Sequence, residues 1–284
     1  MPPFATTFRA RSRSLRLGDR TQVMGILNVT PDSFSDGGKH ESAESAIARG
    51  LEMEAEGADW IDVGGESTRP GAAPVSVAEE LRRVIPVIAA LAGRKGVLIS
   101  VDTQKAEVAQ AAIEAGADVV NDVGAAQDRR ALWRVLAETG AGYILMHMQG
   151  TPQTMQIQPR YADVNAEVES FFRERLALME RSGVAVEQTA LDVGIGFGKT
   201  VEHNLRLLGG LGRLHALHRP LVVGASRKSF IGEVSGGEVS RRLPGSLAAA
   251  IAASAAGAAV VRVHDVAATV QALRVAEAIR VHSH

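Results

Sequence analysis

The sequence contains no cysteine, which removes disulfide scaffolds, cysteine-ligated zinc, iron–sulfur clusters and thiol nucleophiles together. The compartment stays open on that ground, because a chain without thiols suits any redox environment. Aromatic residues make up only 4 % against 46 % hydrophobic residues, so an aliphatic core is expected. Neither sign of charge is in excess: 31 Lys and Arg face 32 Asp and Glu, a net charge of −1. A dedicated nucleic-acid or polybasic membrane binder would carry a strong basic bias. Long apolar runs are also missing. The longest, Ser246–Val261, is alanine-rich, is interrupted by Ser254 and Gly257, and is too short to cross a bilayer. A cytoplasmic location is expected. The stretch Phe8–Arg20 is rich in Arg and Ser, as transit peptides are. However, Arg9, Arg11 and Arg13 alternate with Ala10 and Ser12 at a period of two, which reads as a short strand or hairpin leading into the domain.

What is present is glycine, 29 residues of it, and a repeating cue. Four times a helical stretch ends in Gly-Ala and a strand begins: Gly57-Ala58, Gly116-Ala117, Gly140-Ala141 and Gly257-Ala258. Glycine there suits the left-handed residue that closes a helix. Eight short apolar runs can be marked, at Val23–Val29, Trp60–Gly64, Val97–Asp102, Val119–Asp122, Tyr143–His147, Ala190–Val193, Leu221–Gly224 and Ala259–Val263. They are mostly not alternating, as strands buried on both faces should be. Helical faces lie between them, such as Ala43, Ala46, Ile47, Leu51 and Ala55, or Val77, Leu81, Val84, Ile85 and Ile88. Eight strand–helix units point to an α/β fold closed as a (β/α)8 TIM barrel. They use nearly all of residues 1–284 as one domain, with 1–21 as an N-terminal extension.

Polar residues gather at the C-terminal ends of these strands: Asn28, Asp62, Asp102, Asn121, Asp122, His147, Asp192, Arg262 and His264. That end carries the active site in barrels, because eight loops converge there. Some of these residues are expected only to tie loops to the rim. Asn28 offers a neutral oxygen suited to Mg2+ beside a phosphate, although Asn also caps turns. The loop from Asp62 to Gly71 combines glycines with Thr68, Arg69 and Pro70, as a substrate-covering loop would. The stretch Leu191–Thr200 is neither a Walker loop, since Val193 stands where glycine is required, nor a dinucleotide fingerprint. It reads as a tight loop at the barrel mouth in which Phe197 presents a ring to a planar ligand. Lys228, Arg262 and His264 form an anion site, while Asp102, Asn121 and Asp192 suit the donor edge of a heterocycle. Taken singly, each cation also reads as a solvated rim residue. The mouth thus reads as a metal-assisted diphosphate subsite beside an acidic heterocycle subsite.

These residues resemble the dihydropteroate synthases from about Gln22 to Ala267. The motifs are MGILNVTPDSFSDGG from Met24, DVGGESTRPGA from Asp62, SVDTQKAEV from Ser100, NDVGA from Asn121, LMHMQGTP from Leu145, GIGFGK from Gly194, GASRKSFIG from Gly224 and RVHDV from Arg262. The resemblance implies condensation of 6-hydroxymethyl-7,8-dihydropterin diphosphate with p-aminobenzoate to 7,8-dihydropteroate and diphosphate. It places the pterin among Asp102, Asn121, Met146, Asp192 and Lys228. It assigns the diphosphate to Asn28, Arg262 and His264, with Mg2+ on Asn28. Thr68, Arg69, Pro70, Phe197, Ser226 and Lys228 fall on the aminobenzoate side, and Lys228, Asp102 and Arg262 are the catalytic candidates. A homodimer is expected, with the alanine-rich helix Ser246–Ala256 as the candidate contact; ordinary core packing is the alternative for that helix. Sulfonamides are the family's aminobenzoate mimics, and Phe34 and Pro70 are the positions to inspect. Val193 departs from the family pattern, in which Pro or Ala often follows the aspartate, and a slightly shifted loop entrance is expected.

A pterin-binding methyltransferase is the runner-up; it would keep the acidic pocket without requiring the Ser226-Arg227-Lys228 and Arg262-Val263-His264 set. A catalytically silent pterin-binding homologue would show damaged loops or lost anion residues, and the sequence has neither. An unrelated phosphate-sugar barrel isomerase would lack the paired long loops.

Overall fold

The computed structural model describes residues 6–30, 39–67, 72–94, 96–124, 128–151 and 153–282. The expectations for Phe34, Thr68, Arg69 and Pro70 lie outside these residues.

A two-stranded antiparallel hairpin comes first, β1 (Thr6–Ala10) with β2 (Arg13–Leu17). Eight parallel strands follow and close a barrel. In chain order they are β3 (Gln22–Asn28), β4 (Trp60–Gly64), β5 (Leu98–Asp102), β6 (Val119–Asp122), β7 (Gly142–Met146), β8 (Thr189–Asp192), β9 (Leu221–Val223) and β10 (Val260–Val263). Closure is made by β10 pairing with β3. The outer layer comprises α1 (Lys39–Ala55), α2 (Val77–Leu91), α3 (Ala106–Glu114), α4 (Arg130–Thr139), α5 (Val164–Arg181), α6 (Val201–Gly210), α7 (Ser229–Ser235), α8 (Leu243–Ala255) and α9 (Val266–Val281). The expected strands thus appear within one or two residues of their anticipated limits. The four Gly-Ala cues are helix stops: Gly57, Gly116, Gly140 and Gly257 have φ of 98°, 112°, 68° and 89°. Among the described residues no helix is long and apolar enough to cross a membrane.

Alternation along the strands divides the core. Val23, Leu27, Ile61, Val63, Ile99, Val101, Leu191 and Val261 pack outward into the large apolar layer shared with the helices. Their neighbours Met24, Trp60, Leu98, Val119, Ile144, Ala190, Val222 and Val260 form a second, interior cluster. Two residues further along β4, β5, β6, β8 and β10, the same interior face turns polar. Asp62 follows Trp60, Asn121 follows Val119, Asp192 follows Ala190 and Arg262 follows Val260. A period of two therefore brings these side chains inside the barrel.

The hairpin closes the opposite end. Phe8, Ala10 and Leu17 are buried within the interior cluster, and the Phe8 ring centroid lies 5.5 Å from that of Trp60. Gly142 makes this approach possible, because a Cβ there would stand 2.6 Å from Phe8 Cζ. The arginines beside it serve structure. Arg11 donates to the carbonyls of Ile113 and Ala117, Arg13 donates to Val97 O, and Arg20 donates to Asp59 Oδ2 at 2.9 Å. The basic, serine-rich lead-in is thus a plug whose guanidinium groups satisfy carbonyls around the barrel base. Phe8→Ala should cost about 3–5 kcal/mol of stability in urea unfolding, as truncation of a fully buried aromatic does. The KM of each substrate should be unchanged at 25 °C, because the plug and the mouth lie at opposite ends; a raised KM would contradict that separation.

Candidate active site

A buried ionic network crosses the barrel interior. Arg262 on β10 donates from Nε to Asp62 Oδ2 at 2.6 Å and from Nη2 to Asp102 Oδ2 at 2.8 Å. Asn121 on β6 donates to the same Asp62 oxygen at 2.9 Å. Strands β4, β5, β6 and β10 are thereby tied together from within. Asp62 is fully buried, and its Oδ1 has no hydrogen-bond partner among the described residues. Ser100, its register partner on β5, is also buried with its hydroxyl unpartnered among them. Burial pushes the Asp102 carboxyl up to about 7, with the charges of Asp62, Glu80 and Asp122 adding to the shift and Arg262 opposing it. The two expected subsites are therefore not separate patches. One guanidinium is shared between the acidic pocket and the anion site.

Across the mouth, Asp192 is held by the loop that follows it, as Gly194 N donates to Asp192 Oδ1 at 2.7 Å. Burial raises its carboxyl above the ordinary value, and Lys228 and Arg262 oppose the shift. Lys228, just before α7, donates to Ile195 O and stands 4.1 Å above the centre of the Phe197 ring. Burial lowers its ammonium to about 7, against the opposing charge of Asp192. Ser226 Oγ lies 3.0 Å from His264 Nδ1. Met146 forms a small apolar wall with Val123, Met148, Met155 and the partly buried Phe197, separate from the main core. Asn28 lies at the end of β3, where its amide oxygen would be 3.7 Å from a Cβ on Gly64.

The structure thus gathers Asp102, Asn121, Arg262, Asp192, Lys228, Phe197, Met146, Ser226, His264 and Asn28 at one end of the barrel. Lys228 and Arg262 are not solvated rim residues; their side chains reach inward and are paired. Val193, directly after β8, is fully buried and packs in the outer core. Among the described residues no group of three or more His, Asp, Glu or Cys side chains could hold a metal ion.

Two residues had no role assigned from sequence. Asp62, named in the sequence only as a polar residue at a strand end, proves to hold Arg262; the inward alternation from Trp60 is the signal that points it into the barrel. Lys199, at the end of the GIGFGK stretch, is 3 % exposed. It donates to Phe197 O at 2.9 Å and His147 O at 3.3 Å, and its Nζ lies 3.0 Å from His147 Nδ1. Burial, helped by Lys199, drives His147 down to about 2, so the ring is neutral and its Nδ1 accepts. Burial also lowers Lys199 to about 7.

Comparison with known proteins shows the family. The profile of the family described as pterin binding enzyme matches residues 24–264. Dihydropteroate synthase of Escherichia coli (strain K12) is 53% identical over 269 residues, spanning 95% of this chain and 95% of that one. The structure of Xanthomonas albilineans dihydropteroate synthase with 4-aminobenzoic acid is 48% identical, with a TM-score of 0.89 over 97% of this chain and 99% of that one. A second structure from that organism, in complex with 7,8-dihydropteroate, is 45% identical, with a TM-score of 0.85 over 96% and 98% of the two chains.

The buried lysines carry a pH signature. Lys199 and Lys228 release protons near 7 in the folded state, whereas the unfolded chain holds them up to the ordinary 10.5. The unfolded state binds more protons in that window, so these groups make stability rise with pH. Asp102 acts with the opposite sign between 3.8 and about 7, where the folded state holds the extra proton and stability falls as pH rises. Urea midpoints of the unliganded protein measured upward from pH 7 should show a flatter rise in Lys199→Met and in Lys228→Met than in the parent. Parallel curves would refute the assignment. From the barrel, its interior ionic network and these relatives, the chain belongs to the dihydropteroate synthases, transferases of folate biosynthesis within the pterin-binding enzyme family.

Proposed function

We propose that the barrel mouth condenses 6-hydroxymethyl-7,8-dihydropterin diphosphate with p-aminobenzoate by a dissociative path, with the residues divided as follows. The observation that carries this reading is Arg262 held between Asp62 and Asp102. It sets a permanent cation against an acidic pocket, so a leaving anion and an electron-rich heterocycle meet at one point. Asp102, Asn121 and Asp192 accept from or donate to the polar edge of the pterin, and Met146 forms its apolar wall. Lys228 reaches the pterin from the opposite side and stacks on Phe197, which together with Ser226 borders the aminobenzoate. Thr68, Arg69 and Pro70 complete that side in this reading. Arg262 and His264 receive the diphosphate.

Asn28 would hold Mg2+. Its neutral amide oxygen at the end of β3 suits an ion that keeps several waters and binds substrate phosphates. When bound, Mg2+ would neutralise charge on the diphosphate.

The bond between the pterin methylene and the diphosphate oxygen breaks, and the departing diphosphate takes the electron pair. Arg262 stabilises the developing charge. The reduced pterin spreads the positive charge left on the methylene, and the carboxylates at the mouth favour that cation. The neutral arylamine then supplies the pair for the new C–N bond and loses a proton to water or diphosphate. It needs no strong general base, and holding it beside the methylene supplies much of the rate. Support comes from relatives whose structures contain 4-aminobenzoic acid and 7,8-dihydropteroate. A homodimer is part of the proposal, supported by Ile251, Val275 and Ile279, which leave apolar surface exposed on α8 and α9.

Purified protein mixed with both substrates and Mg2+ should release diphosphate, and omission of Mg2+ should slow release strongly. No release with both substrates present would favour a silent pterin-binding homologue. Asp192→Ala should weaken pterin binding at least tenfold, about the loss of one charge-assisted hydrogen bond; normal affinity and turnover would remove Asp192 from the pocket.

A further inference from the structure

The loop after β8 is held backbone group by backbone group. Asn204 Oδ1 accepts from Gly196 N at 2.7 Å, Gln156 donates to Gly196 O at 2.8 Å, and Tyr161 donates to Gly198 O at 2.8 Å. The two remaining carbonyls around the Phe197 ring are taken by two different lysines, Lys199 buried and Lys228 partly buried. Lys228 donates to Ile195 O and Lys199 to Phe197 O. Lys199 also engages the carbonyl and the ring nitrogen of His147, the residue directly after Met146. It therefore joins the Phe197 loop to the end of β7. The fit between these two segments is close: a Cβ on Gly194 would stand 2.0 Å from His147 O, with φ of Gly194 at 66°. The carbonyl oxygens of Phe197 and His147 are both within hydrogen-bond reach of the same Lys199 Nζ. This buried ammonium has three N–H groups for the three acceptors within reach.

We propose that Lys199 is a positioning residue that fixes the Phe197 ring against the end of β7 and so sets the affinity for the arylamine substrate. It touches neither substrate; it acts through the Phe197 carbonyl. The proposal rests on Phe197 bordering the aminobenzoate, and the test separates the two statements. The Phe197 ring also stacks on Lys228. Drift of the Phe197 backbone would carry that stack with it.

The test is a steady-state comparison of the parent with Lys199→Met, Lys199→Gln, Lys199→Arg, Phe197→Leu and the double variant Lys199→Met/Phe197→Leu. Lys199→Met should raise the KM for p-aminobenzoate about tenfold, short of the roughly hundredfold that a full 1 Å misplacement can cost. The KM for the pterin diphosphate should stay within about twofold, which also shows that the barrel is intact. Variants that keep N–H donors should fall in order, with Arg nearest the parent and Gln between Arg and Met. In the Phe197→Leu background Lys199→Met should add little, because the ring it positions is gone. If Phe197→Leu raises the KM for p-aminobenzoate and Lys199→Met does not, Lys199 has no positioning role and the reading of Phe197 stands. If Phe197→Leu leaves that KM unchanged, the reading of Phe197 fails and takes the proposal with it. Equal rises in both KM values, or a series without order, would mark Lys199 as merely structural and overturn the proposal.

Discussion

One partly buried guanidinium organises this molecule. Arg262 enters the barrel from β10 and is gripped by Asp62 on β4 and Asp102 on β5, while Asn121 on β6 shares the same Asp62 oxygen. A charge removed from water needs partners of good geometry, and removing any one of them leaves another exposed to the full cost of desolvation. The network therefore constrains itself. Its members sit on rigid strands, so little reorganisation is needed when a leaving anion arrives. The arrangement also explains why carboxylates and cations coexist in so small a volume. Each holds the other in place, and the surplus of buried groups on both sides of the mouth leaves Asp102, Lys228 and Lys199 titrating near neutral pH.

The remainder of the fold supports that interior. The hairpin plug fills the base with Phe8, Ala10 and Leu17, so the interior opens to solvent at the mouth. The helices pack on the outward half of each strand through aliphatic side chains, as the low aromatic content requires. The few aromatics stand at particular places. Trp60 meets the plug, Tyr143 donates to Asp122 at 2.7 Å, and Phe197 lies under Lys228. Helix-closing glycines deliver each chain reversal to the strand that follows, which keeps successive units in parallel register.

Much of this could be read from local sequence, because period and punctuation are local properties. Short aliphatic runs bounded by Gly-Ala marked the strands, and polar residues at their ends marked the mouth. The N-terminal arginines were legible as a hairpin by alternation, though not as a plug, since that role depends on Gly142 more than a hundred residues away leaving room for Phe8. Asp62 and Lys199 stood in plain view within the motifs but gave no hint of their partners. Asp62 acts on a residue 200 positions further on, and Lys199 on one 52 positions before it. Val193 drew notice as a departure from the family pattern, yet it faces the outer core, where a β-branched side chain packs well.

The sequence by itself determined the fold class, the end of the barrel that holds the site, and the chemical character of its residues, because residue type and a period of two are enough for each. Only the tertiary structure decided which charges meet. Closing β10 against β3 brings Arg262 to Asp62 and Asp102, and the packing of two loops places Lys199 between Phe197 and His147. Pairing across the barrel is a property of strand register and closure, and no local window of the chain contains both partners.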